Sequence, residues 1–232
     1  MESELDNLMF SASTLQKIGR YDQAIDSLKQ IIKLNPILQR KHCFLFEDIF
    51  KPPIEQIRKT LLFLQKSYED EISIGNMERS QCILFYKNKS HDDLIRYCHE
   101  GISLIDNIIL EQTQDDLILC YIYKTKGDFY RYISECGTKE EVKDAISNAI
   151  KSYSSGLSMC ERLSPASPLR LGTILVFAIF KHDHLGARQE ATEMLQAAKR
   201  AGEECLSQLD HHEKAESLHL LDAFRTNLND WE

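Results

Sequence analysis

Apolar residues recur at intervals of three and four along almost the whole chain, the spacing that puts them on one face of a helix. The clearest case is the stripe Tyr21, Ala24, Ile25, Leu28, Ile31 and Ile32. Continued to the end of the chain, the pattern predicts about nine helices. Asn35-Pro36 reads as the cap of the third, with proline tolerated in a first turn. Pro52-Pro53 fall inside that third helix and predict a kink or a restart, because each removes a backbone donor. A long fourth helix is expected over roughly 77–110, with Ser90 a candidate cap for a restart within it. The fifth contains "KGDFYRYISE", residues 126–135. Thr138-x-x-Glu141 has the spacing of a capping box for the sixth, and Ser167-Pro168 reads as a cap-plus-proline start for the seventh. The eighth runs through "ARQEATEMLQAAKRAGEECLSQL", and the ninth carries Leu218, Leu221, Phe224, Leu228 and Trp231 on one face. No strand-like alternation competes, and no low-complexity linker interrupts the series. The expected fold is all-α: a single domain over residues 1–232, with short loops joining antiparallel helices.

Composition narrows the functions. Apolar residues make up 43% of the chain, enough for a sizeable core, and only 9 Gly and 5 Pro occur. Lys and Arg number 28 against 36 Asp and Glu, a net charge of −8. That balance argues against nucleic acid or an anionic membrane as partner, so any bound anion must be held by a local basic cluster. Seven cysteines, Cys43, Cys82, Cys98, Cys120, Cys136, Cys160 and Cys205, are widely spaced with no C-x-x-C pair. They read as buried thiols of a reducing compartment. The opening "MESELDNLMF" has acids where a signal peptide has bases, and no apolar run reaches the ~18 residues of a membrane span. A cytoplasmic or nuclear protein is expected.

Candidate chemistry points away from catalysis. His182 and His184 lie about 200° apart on a helix and cannot share one ion. Asp210-His211-His212-Glu213 reads as a polar loop, and no metal or cofactor is expected. Cys98-His99 are neighbours that point different ways, and no phosphate-cradling glycine loop occurs. The basic pairs are more informative. Lys124 and Arg131 are seven residues apart on one helix face, and Lys51 and Arg58 repeat that spacing. Either pair could be an ordinary solvated face. However, Arg131 sits between Tyr130 and Tyr132, and Glu135 one turn on can accept from its guanidinium. A mid-helix Gly127 costs ~1 kcal/mol and implies a close-packed neighbour. Cations held on a packed surface in this way suit an anion.

"KGDFYRYISE" resembles the most recognisable internal segment of the 14-3-3 family. "SPASPLRLGTILVFAIF" (164–180), "LLDAFRTNLNDWE" (220–232) and "GRYDQAIDSLK" (19–29) resemble other family segments in the same order. The resemblance implies a nine-helix, cup-shaped subunit that dimerises and clasps phosphoserine or phosphothreonine peptides as a signalling adaptor, without enzymatic activity. It implies a phosphate pocket of a Lys and an Arg from the third helix with an Arg-Tyr pair from the fifth. Arg131 and Tyr132 match that pair, and an ungapped register from Arg20 places Lys51 and Arg58 on the other positions. A gap earlier in the third helix would put Glu47 and Ile54 there instead. A phosphoserine carries about −1.5 to −2 charges and three acceptor oxygens, which guanidinium forks, an ammonium and a phenol can satisfy.

The same resemblance assigns Lys124, Leu175, Val176, Ile179, His219, Ala223, Asn227 and Trp231 to the peptide groove. Val176 stands where the family has a backbone-gripping Asn, whereas the second such Asn is kept as Asn227. His219 and Ala223 replace groove leucines, and the acidic tail typical of the family is expected to be either missing or removed beyond Trp231. Arg20, Tyr86, Lys89 and Asp93 match dimer-interface positions, with Arg20 pairing across the two-fold axis with Asp93. Gln23 replaces the acid of a second bridge. The implied partners are phosphorylated Ser/Thr proteins and a second subunit, identical or a sibling isoform. Two rivals remain on sequence grounds. "GRYDQAIDSLKQIIKLNP" also fits a tetratricopeptide-like scaffold that binds peptides independently of phosphate, although nothing recurs at the repeat of about 34 residues. A helical enzyme with a phosphate-bearing substrate would need a base, and only Glu135 is near Arg131.

Overall fold

The computed structural model describes residues 2–34, 40–109, 113, 115–136 and 139–232. Among these, nine α-helices and no strand occur: α1 Glu2–Lys17, α2 Tyr21–Leu34, α3 Arg40–Ser73, α4 Met77–Leu104, α5 Asp116–Cys136, α6 Lys139–Cys160, α7 Pro168–Leu185, α8 Arg188–Cys205 and α9 His211–Asp230. A π-helical turn, Ile105–Ile109, extends α4, and a 3₁₀ turn, Leu206–Gln208, follows α8. No described helix is long and apolar enough to cross a membrane. The helices form two compact units, 1–113 with 132–146, and 114–131 with 147–232, so the boundary falls inside α5 and α6.

In the first unit the stripe read from the sequence is the core of α2: Ala24, Ile25, Leu28, Ile31 and Ile32 are all buried. The α1–α2 and α3–α4 hairpins turn at Gly19 and Gly75, both with positive φ. The expected break at Pro52-Pro53 does not occur, and α3 runs unbroken through both prolines. Each proline forfeits one backbone bond, yet Phe46, Ile49, Phe50 and Ile54 are buried on either side, and that apolar anchoring holds the helix through the defect. No restart occurs at Ser90 either, because its hydroxyl donates to Tyr86 O within α4. The cap expected at Asn35-Pro36 and the Thr138 half of the expected capping box lie outside the described residues.

The second unit packs α7, α8 and α9 around Leu171, Ala178, Ala191, Leu195, Leu221 and Phe224. Helix α7 starts at Pro168 as expected, although Ser167 makes no side-chain cap bond. Only Gly186 and Ala187 separate α7 from α8, and Gly186 takes the left-handed conformation (φ 64°) such a stop requires. Leu228 and Trp231 pack against the core cluster, but Leu218, expected on the same face, is exposed. The thiol reading needs a larger correction. Cys120 on α5 and Cys160 at the end of α6 form a disulfide, with Cα atoms 5.7 Å apart. The helices approach closely at Gly156, where a Cβ would lie 3.4 Å from Cys120 O. Of the five remaining thiols Cys82 is exposed, and Cys136 and Cys205 are half-buried.

Candidate functional site

Within the second unit, α5 carries a compact ionic cluster. Lys124 Nζ lies 3.1 Å from Asp128 Oδ2, one helical turn on, and Arg131 Nη2 lies 3.6 Å from Asp128 Oδ1. The Tyr153 hydroxyl, from α6, donates to Asp128 Oδ1 at 2.8 Å. Burial alone would push the Asp128 carboxyl up, but Lys124, Arg131 and the hydrogen bonds from Tyr153 and Lys124 hold it below the usual carboxylate range. Burial, and then the Asp128 charge, push Tyr153 well above its ordinary value, so it stays a donor. Its ring stacks on Phe177 at 5.3 Å and covers Gly127. A Cβ on Gly127 would meet that ring at 2.6 Å, which is the close neighbour the mid-helix glycine implied. Both cations thus share one carboxylate that a buried phenol fixes. Sequence reasoning missed Asp128 and Tyr153. The four- and three-residue spacing of Asp128 from Lys124 and Arg131 was a readable signal, whereas Tyr153, distant in sequence, gave none.

Within the first unit, the last turn of α5 meets α3. Arg58 donates from Nε and Nη2 to Glu135 Oε2 at 3.0 and 2.8 Å. Its guanidinium carbon lies 4.6 Å from the Tyr132 ring centroid, a cation–π stack. Glu135 therefore accepts from a residue distant in sequence. Arg58 and Tyr132, both assigned to the phosphate pocket by the resemblance, are brought together. Lys51 is exposed, and its ammonium lies 3.5 Å from Glu47, one turn back on α3. Ile54, the alternative in the gapped register, is buried in the core.

Leu175, Val176 and Ile179 are half-buried on α7, with Leu175 against the unit's core. His219 is exposed, and Ala223 is half-buried. Asn227 donates its amide to Ala223 O at 2.8 Å, and Trp231 stacks on His182 at 4.3 Å with rings 5° from parallel. In the first unit, Arg20, Tyr86 and Lys89 are exposed. Asp93 lies 3.8 Å from Arg96, whose guanidinium also reaches Asp22 at 3.1 Å. Among the described residues, no group of three or more His, Cys, Asp or Glu is placed to hold a metal ion.

A family model for the 14-3-3 protein matches residues 11–232. This chain belongs to the 14-3-3 family. It is 26% identical to the 14-3-3-like protein GF14 epsilon of Arabidopsis thaliana, over 100% of this chain and 91% of that one. It is 28% identical to the 14-3-3-like protein B of Vicia faba, over 97% of this chain and 87% of the relative. Identity to the checkpoint signal transducer rad25 of Schizosaccharomyces pombe is 26%, over 100% of this chain and 86% of the relative. At the level of the family, 14-3-3 proteins are non-enzymatic, phosphopeptide-binding signalling adaptors.

Proposed function

We propose that this 14-3-3 protein binds phosphoserine and phosphothreonine segments of other proteins in the cytoplasm, as an adaptor without catalytic activity. The carrying observation is Arg58, held by Glu135 and laid over Tyr132, the neighbour of Arg131 on the same helix. Arg58, Arg131 and Tyr132 would hold the phosphate, with Lys51 swinging from Glu47 to join them. Both arginines are braced before any ligand arrives, by Glu135 and by Asp128, so less rotamer entropy is lost on binding. Burial of Ile54 supports the ungapped register. Leu175, Val176 and Ile179 would line the peptide's path with Lys124, His219, Ala223, Asn227 and Trp231. Val176 offers no hydrogen bond to a peptide backbone, so that grip would rest on Asn227, with its amide turning away from Ala223 O. Residues 1–232 would act as one domain.

We further propose a two-fold dimer through Arg20, Tyr86, Lys89 and Asp93, with a second copy or a sibling isoform. Arg96 already neighbours Asp93, which would weaken the bridge from the partner's arginine. Titration of a phosphoserine peptide into Arg131→Ala and Lys51→Glu, with circular dichroism as control, tests the phosphate grip. Each variant should lose most of the affinity and keep its helical spectrum, because a charged hydrogen bond contributes about 1.5–3 kcal/mol. Full affinity in Arg131→Ala contradicts the reading, and full affinity in Lys51→Glu removes that residue from it.

A further inference from the structure

A cavity of about 270 Å³ opens within the first unit beside Arg58. Leu61 and Leu62 of α3, Lys87 and His91 of α4 and Cys136 at the end of α5 line it with Arg58. The volume falls below the ~300–1,000 Å³ of drug-sized ligand pockets and suits one side chain. The charged groups of the lining are already hydrogen-bonded: Arg58 donates to Glu135, and Lys87 donates to the neutral Gln65. Two further lining groups, His91 and Cys136, are neutral. Burial, then the Lys87 charge, lower the His91 pKa against a smaller opposing pull from Asp92, which leaves the ring uncharged at neutral pH. Burial, and then Glu135, push the Cys136 thiol up to about 11, so it is neither anionic nor a ready nucleophile. Leu62 is 74% exposed at the cavity, a large apolar side chain facing water.

We propose that this cavity is a specificity subsite that takes one large aliphatic or aromatic side chain of the bound peptide, within three residues of the phosphorylated position. The proposal rests on the phosphopeptide reading. Arg58 both lines the cavity and is a proposed phosphate ligand, so a peptide anchored there must run past the mouth. An extended chain advances about 3.3 Å per residue, so three residues on either side sweep ~10 Å from the phosphate. A cationic side chain would face the like charges of Arg58 and Lys87, and an anionic one would face Glu135 and lose its hydration against Leu61, Leu62 and the neutral imidazole and thiol. An apolar one covers Leu62 and displaces only water.

Calorimetry with the full chain and a set of phosphoserine peptides tests this. All flanking positions are alanine except one leucine, moved from three residues before the phosphoserine to three after. One position should tighten binding by about five- to tenfold over the all-alanine phosphopeptide, the gain from partial burial of a leucine. Leu62→Gln, at an exposed position that the fold tolerates, should abolish that gain and leave the all-alanine affinity unchanged. A flat leucine scan, or a gain that survives Leu62→Gln, overturns the subsite while the phosphate reading stands. Failure of every phosphopeptide to bind overturns the phosphate reading, and the subsite with it.

Discussion

The two arginines proposed to meet phosphate are braced differently. In the second unit Arg131 shares Asp128 with Lys124, and those three side chains are only 15–19% exposed. A fully buried phenol, Tyr153, fixes the carboxylate. In the first unit Arg58 is braced by Glu135 with 35% of its own side chain exposed, and its guanidinium lies on an aromatic face. Charges held near low-dielectric packing interact strongly but are costly to leave uncompensated, whereas exposed pairs contribute little and exchange readily. The Asp128 cluster therefore serves the fold as well as any ligand, and the Arg58 pair is cheap to rearrange when an anion arrives.

The contrast predicts a graded series of stability losses. The largest is Asp128→Ala, which removes the carboxylate that Lys124, Arg131 and Tyr153 share. We expect a loss of about 3 kcal/mol in chemical denaturation, the lower end for a broken buried pair because the side chains are partly exposed. The same group sets an acid response. Its folded pKa lies below its unfolded value, so its contribution is complete above pH ~4 and disappears as pH falls through the folded value. Asp128→Ala should lack that part of the acid slope, and an unaltered slope would place the ionic coupling elsewhere.

Next is Gly127→Ala. The added methyl meets the Tyr153 ring, and that ring is confined by Phe177, Phe180 and its bond to Asp128. Overpacking should outweigh the ~1 kcal/mol gain in helix propensity and leave a net loss of about 1–2 kcal/mol in thermal or denaturant unfolding. A stabilised variant would show that the ring yields freely. The smallest effect is Glu135→Gln, expected to change stability by under ~1 kcal/mol because the pair is accessible to water. A loss as large as that of Asp128→Ala would erase the distinction between the two braces.

Much of the helical framework was legible because burial imposes a period that sequence displays. The α2 stripe, the α7 start at Pro168 and the close neighbour of Gly127 all follow from local rules. Pro52-Pro53 misled because propensity counts a lost backbone bond but not the apolar side chains that bury Phe50 and Ile54 around it. Leu218 fits the α9 stripe by spacing, yet it lies beyond the patch that α7 and α8 cover. Pairings across the chain were hidden for a different reason. Cys120 with Cys160, Asp128 with Tyr153 and Glu135 with Arg58 depend on which helices meet, and no helical spacing encodes that. Within the candidate site, residue types, their helix faces and the spacing of Asp128 from Arg131 could be read, while the partnership of Glu135 with Arg58 came only from the fold.

On the proposed reading, the braced arginines recognise phosphate rather than peptide as such. Calorimetric titration of the wild-type chain with one phosphoserine peptide and its unphosphorylated twin addresses it directly. With two charged grips engaged, the phosphorylated peptide should bind at least about a hundredfold tighter, with the preference falling as salt rises. Equal affinity for the two peptides would contradict the account and favour a helical scaffold that reads peptides without phosphate.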